Sequence, residues 1–384
     1  MMLRSIISAC WRWVASPFAA GQSLTKVSAE RKYKPTVEVL ETRLVPAWVV
    51  NDLTTLTAAS LVQNLLGPSV TATNIQYTGD QKAAGIFSDT NNATGIKNGV
   101  VLSSGSAKGV AGPNTDTAFS TDNGGAGDPD LDAIISPDIG YDASTLEFDF
   151  VPKGSILSFQ YVFGSDEYNE FAPPNFGIND VFGFFLNGKN IALLPGTSTP
   201  VSIATVNAVT NSKYFVDNDQ QPGPRDTQMD GLTTVLSVTV NVKPGVVNHI
   251  KLTIEDAADG VYDSWVLLKA GSLGAADIRT YAPLRYVYNR FTGLYSGNFL
   301  FANISTVSLG GPLYAIFLAL PPGVTVANAK GKTASGATYF AFPGGKGLPA
   351  GSKLSITITF RNPGRINFGP FFQHHPITIA AGIS

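Results

Sequence analysis

Eight carboxylates fall in two short stretches of this chain, and their spacing suggests cation chemistry. The first stretch, FQYVFGSDEYNEFAPPNFGINDVFGFFLNG (159–188), places Asp166, Glu167 and Glu170 just after one apolar strand pattern and Asp180 just before the next. The second, IEDAADGVYDSWVLLKAGS (254–272), places Glu255, Asp256, Asp259 and Asp263 between two more. If the strands around the first loop pair as neighbours, Asp180 faces Asp166 and Glu167 across one sheet edge. Carboxylates gathered this way repel one another. A hard divalent cation relieves that repulsion, and Ca²⁺ takes six to eight oxygen ligands. The reading is therefore a Ca²⁺ site drawn from Asp166, Glu167, Asp180, Asp256 and Asp263. The competing reading is ordinary turn chemistry, in which Asp and Asn simply hold β-loops. A third string, Asp116, Asp122, Asp128, Asp130 and Asp132, lacks the glycine and closing glutamate of an EF-hand loop and is expected to be exposed loop.

Catalytic alternatives are thinner. A glycoside hydrolase needs two carboxyl groups, and Glu147, Glu167, Glu170 and Glu255 are available for that work. Of the three histidines, His249 stands beside a strand start and reads as packed or surface, while His374 and His375 lie in the tail, away from the acidic loops in sequence. There is no G-x-S-x-G elbow, H-E-x-x-H helix or phosphate-cradling glycine motif. Tyr168, Phe171, Phe176, Tyr262 and Trp265 flank the acidic loops, either as a platform for sugar rings or as seals packing the loops onto the body.

Period-two alternation positions these loops. Leu146, Phe148 and Phe150 alternate with Glu147 and Asp149; Leu157, Phe159, Tyr161 and Phe163 alternate with Ser158, Gln160 and Val162. Leu236–Val242 and Ile250–Ile254 repeat the pattern, which predicts half-buried antiparallel strands. Residues 57–66, TAASLVQNLL, predict one short helix capped by Thr57 and stopped by Gly67-Pro68. The long loops 103–130, 164–179 and 217–230 are of a length usually tied to function.

Composition fits that frame. With 44% hydrophobic and 14% charged residues, the chain is neither disordered nor a coiled coil. The net charge of −2 conceals three regions. Residues 1–47 carry 7 basic and 3 acidic groups, 48–277 carry 10 and 25, and 278–384 carry 9 and none. The asymmetry predicts an acidic domain followed by a basic one, joined by a linker near 271–280. The scattered cations of the tail argue against a nucleic-acid groove. Cys10 is the sole cysteine, so no intramolecular disulfide and no thiolate zinc site exist.

The start of the chain, MMLRSIISACWRWVASPFAAGQS, has the parts of an export signal, with Arg12 interrupting its apolar run and Ile7–Cys10 spaced as in a lipobox. A disordered arm is the alternative. VEVLETRLVPA (37–47) resembles the LExR-type N-terminal motif of large bacterial exoproteins. No apolar run is long enough for a transmembrane helix.

In order along the chain come YTGDQKAAGIF, GIKNGVVLSSG, DLDAII, LEFDFVPKG, LSFQYVFGSDEYNEF, NDVFGFFLNGKNIALLPGTSTPVSI, DGLTTVLSVTVNVKPG and HIKLTIEDAADGVYDSWVLLKAGS. Together they closely resemble the choice-of-anchor L domain of bacterial surface and exported proteins. The resemblance implies export and a surface location and brings no enzymatic activity with it. The C-terminal HHPITIAAGIS holds no anchor segment, a departure that leaves attachment open. The tail resembles a β-sandwich module appended to bacterial exoproteins.

The expectation is thus an all-β protein. Residues 1–47 form an export segment, 48–273 an acidic jelly-roll-like sandwich with a short N-terminal helix, and 274–384 a basic immunoglobulin-like sandwich. Its expected role is non-catalytic adhesion, with Ca²⁺ stiffening a loop edge that meets extracellular matrix, a glycan or a surface protein. The rivals are a carbohydrate-active hydrolase and a structural surface-layer component.

Overall fold

The computed structural model describes residues 47–67, 70–172, 178–220, 222–375 and 377–381. The export-signal and LExR readings fall almost wholly on residues 1–46, outside the described set. Residues Pro46–Ser384 form one compact unit.

The chain is all-β and builds four antiparallel sheets, two before Asp277 and two after it. In the first pair, a nine-stranded sheet runs Trp48–Asp52, Ala84–Asp89, Asn98–Ser103, Ser264–Lys269, Ile156–Ser165, Gly231–Thr233, Phe215–Asp217. Leu236–Asn241 and Gly274–Ala276 also pair with Ile156–Ser165. Facing it is a five-stranded sheet: Val70–Thr78, Gly140–Pro152, Asn248–Ala257, Val181–Leu186, Lys189–Asn190. The alternating apolar residues meet between the sheets, where Phe159 packs edge-on against Phe184 with ring centroids 4.9 Å apart. Helix Ala58–Leu65 closes one side of this core through Leu61, Val62 and Leu65, and Thr57 caps it with Ser60 as a capping box.

Two expectations are corrected here. The nine-stranded sheet is not half-buried, because Val162, Trp265 and Leu267 on its outer face form a second core with Val110, Met229 and Leu232. The long loops fold back over that face and bury it. In addition, the DPDLD stretch is not exposed loop throughout. Asp128 caps a second helix, Pro129–Ile135, whose Leu131 and Ile135 pack on Val181 and Phe185.

After Asp277 a second sandwich begins at once, with strands occupying most of the stretch read as a linker. One sheet runs Ile278–Tyr281, Leu294–Asn303, Lys353–Arg361, Thr325–Val326, with Val287–Asn289 also paired to Leu294–Asn303. The other runs Gly331–Lys332, Thr338–Ala341, Tyr314–Phe317, Ile377–Ala380. Phe299, Phe317, Phe360, Phe368 and Phe372 fill its core. Ile156 and Ala276 of the first sandwich join that core. Ala381 N–H donates to Asn241, further tying the two.

Candidate functional site

The strands on either side of each acidic loop are not sheet neighbours. Ile156–Ser165 lies in the nine-stranded sheet and Val181–Leu186 in the five-stranded one, so the loop between them crosses the sandwich. The same holds for Asn248–Ala257 and Ser264–Lys269. Ser165 pairs with Ser264 in one sheet and Val181 with Glu255 in the other, which sets the two crossings side by side at one end. The edge-pairing expectation is therefore wrong in geometry. The five acids lie at that one end, but among the described residues no three of them bring carboxylate oxygens within 4.8 Å of one another.

All five sequence-derived ligand candidates are buried: Asp166, Glu167, Asp180, Asp256 and Asp263 are each 2% exposed or less. Glu255 and Asp230 lie as deep. Asp180 bridges the sheets, accepting from Ala257 N at 2.9 Å and from Ser264 Oγ at 2.7 Å. Asp263 accepts from Ser106 N at 2.9 Å and Thr121 N at 2.6 Å. Asp166 Oδ2 takes Phe119 N at 2.9 Å, and Glu255 Oε2 takes Asp128 N at 2.6 Å. The half-exposed glycine-rich loop is thus pinned by main-chain N–H groups donating to carboxylates beneath it. Gly105 and Gly140 permit the approach: a Cβ at Gly105 would sit 2.1 Å from the Asp263 carboxylate, and one at Gly140 would sit 2.4 Å from the Glu255 oxygens.

These hydrogen bonds leave several oxygens unsatisfied. Asp166 Oδ1, Glu167 Oε2, Asp230 Oδ2, Glu255 Oε1 and both oxygens of Asp256 are buried with no hydrogen-bond partner. Among the described residues, the lysine ion pairs are made with Asp52, Asp128 and Asp130 and not with any of these. Burial raises the acids, against whatever hydrogen bonds they accept. Asp166 is pushed to about 9 by desolvation, then by Asp230 and Asp263. Glu167 is raised to about 9 by burial, then by Asp180 and Asp259. Burial also lifts Glu255 to about 8, Asp180 and Asp230 to about 7, and Asp263 to about 6. Asp256 is held well above the ordinary carboxylate range by burial and by Asp180.

The tightest group was only partly foreseen. Glu170, Asp219 and Asp230 bring carboxylate oxygens within 4.8 Å of one another, the one such trio among the described residues. Asn114 donates to Asp230 Oδ1 and leaves Oδ2 bare. Glu170 belongs to the first acidic stretch, whereas Asp219 and Asp230 bracket the loop after Phe215–Asp217. The length of that loop was the available signal. The oxygen-only donor set, without His or Cys, suits a hard cation such as Ca²⁺ rather than zinc.

The other candidates separate. Of the four glutamates considered for hydrolysis, only Glu147 lines the neighbouring cleft, beside Asp80, Asp128 and Asp142, and His249 contacts it at 3.3 Å. Glu167 and Glu255 are buried, and Glu170 is exposed. Tyr168 and Trp265 are wholly buried and bond to the carbonyls of Val206 and Ser106, which makes them seals. Phe171 and Tyr262 pack at a tilt with centroids 4.9 Å apart, and Phe176 lies outside the described residues.

Fold and site define an antiparallel sandwich module closed at one end by acidic crossing loops. The sequence model of the choice-of-anchor L domain family matches residues 49–274, more than half of the chain, and the chain belongs to that family. That membership makes it a bacterial surface-associated, non-catalytic module. No curated protein matches the chain. No helix among the described residues is long and apolar enough to cross a membrane.

Proposed function

We propose that the chain is an exported adhesion module whose acidic end is locked by Ca²⁺ and presents the surface that meets matrix, a glycan or another surface protein. The observation supporting this is the set of buried carboxylate oxygens that, among the described residues, accept no hydrogen bond and make no ion pair with lysine or arginine. Leaving such charges unpaired costs several kcal/mol each. Neutralisation requires protons or a cation. Asp256, with both oxygens unsatisfied, and the Glu170, Asp219 and Asp230 trio are the residues best placed to hold one. Asp166 and Glu167 each add one unsatisfied oxygen, while Asp180 and Asp263 have both engaged and act chiefly as pins. A bound cation would fix the crossing loops before a partner arrives, lowering the ordering entropy lost on binding.

Scanning calorimetry of the full chain in Ca²⁺ and in EGTA tests this. At a Ca²⁺ concentration 100 times Kd the folded state gains about 2.7 kcal/mol. An unchanged melting temperature removes Ca²⁺ from the mechanism.

A further inference from the structure

The geometry points to the hairpin end of the second sandwich as a docking face for a bilayer surface rich in anionic phospholipid. Residues 278–384 contain nine basic and no acidic side chains. Four of the nine are arginines gathered at one end. Arg285 and Arg365 line a shallow cleft with Leu284 and Ile366. Arg290 lies in the turn between Val287–Asn289 and Leu294–Asn303, and Arg361 pairs with Leu294. The same end exposes apolar bulk: Leu284 is 71% exposed, Val287 73% and Phe291, in the hairpin turn, 88%. Tyr288 is also exposed and packs at a tilt against Tyr295, another cleft residue.

This end points away from the chain's own acidic sandwich. The strand Leu294–Asn303 runs from the hairpin to the junction, where Asn303 pairs with Ile278 and Ile304 bonds to Asp277. At about 3.4 Å per residue its two ends lie roughly 30 Å apart. The arginines therefore face an outside partner. Single exposed apolar residues are ordinary, but here Leu284, Val287 and Phe291 fall within eight residues of sequence that also hold Arg285 and Arg290. An acidic polysaccharide satisfies guanidinium groups and gives Leu284 and Val287 nothing. A phospholipid interface accepts both, taking Phe, Leu and Val at the acyl boundary while arginine forks onto phosphate.

The inference stands apart from the Ca²⁺ reading, so its test is run in EGTA. The full chain is sedimented with vesicles of phosphatidylcholine alone or with about 30% phosphatidylglycerol, a fraction chosen to give a clearly negative surface. Binding is expected to the anionic vesicles, to weaken with salt and to fall at least tenfold on neutral ones. At about fivefold per arginine, R285Q/R290Q/R365Q lowers it by about two orders of magnitude. F291S lowers it at unchanged salt dependence, and K330Q/K332Q, on the other sheet, leaves it within about twofold. Thermal melts matching the parent chain show that the variants fold, and residues 1–46 are common to all. Equal binding by the triple variant, or an equal loss in K330Q/K332Q, overturns the proposal. So does failure to bind vesicles, including the case where the arginine end instead retains the chain on polygalacturonate or mediates self-association.

Discussion

The two sandwiches solve the same problem, closing a β-core, with opposite materials. The second fills its interior with phenylalanines and has no carboxylate anywhere after Asp277. The first fills the middle of its interior with aromatics as well, but closes one end with a set of buried acids. Aromatic packing is indifferent to protons and ions, whereas a buried carboxylate is stable only in the company of one or the other. One half of the molecule is therefore built to be insensitive to its medium and the other to respond to it.

The sharpest way to break this contrast is at the aromatic core. Phe360→Ala, at a wholly buried ring touching Phe317, Phe368 and Phe372, should cost about 3–5 kcal/mol. Denaturant titration should give the same loss in Ca²⁺ and in EGTA; a cation-dependent loss would end the distinction.

Next in size is pH. With cation removed, the acidic end holds protons that the unfolded chain releases, because the folded values of Asp166 and Glu167, about 9, lie above their ordinary 3.8 and 4.5. Stability from these groups is complete below pH ~4 and declines as pH rises towards 9. Melting temperature in EGTA should therefore fall between pH 5 and 8 and flatten in saturating Ca²⁺. A chelated protein that becomes more stable over that range contradicts the buried-acid account.

Gly105→Ala probes the pins and should cost roughly 2 kcal/mol by driving a methyl into the Asp263 carboxylate. Hydrogen exchange should speed up at Ser106 and Thr121 and stay unchanged at Phe360. The smallest effect is the most specific. Asp256→Asn in EGTA should be neutral or stabilising by about 1 kcal/mol, since it replaces a carboxyl that can be buried only by taking up a proton. The same variant should lose most of the Ca²⁺ increment. A full increment in the variant would move the cation to the Glu170, Asp219 and Asp230 trio, where Asp230→Asn makes the equivalent test.

Much of this was readable beforehand because it is local. Alternation at Leu146–Phe150 and Leu157–Phe163 reports which face meets the opposite sheet, and Thr57 marks a helix start. Pairing partners are not local. Alternation says nothing about which sheet Val181–Leu186 joins, so the crossing geometry was missed even though the acids that meet there were named. Asp219 and Asp230 lie about fifty and sixty residues beyond Glu170, and only the strand order brings them to it. The burial of Val162 and Leu267 was hidden for a related reason: their cover comes from loops, which carry no periodic signal. Pro129–Ile135 is two turns long, too short to show a helical repeat beside so many acids.

The loop from Ser106 to Asp128 is fastened through its peptide nitrogens, while Thr115, Asp116, Ala118, Ser120 and Asp122 turn outward. Outward residues can thus be exchanged without loosening the anchorage. Such a scaffold can be re-lettered for a new target while keeping its shape.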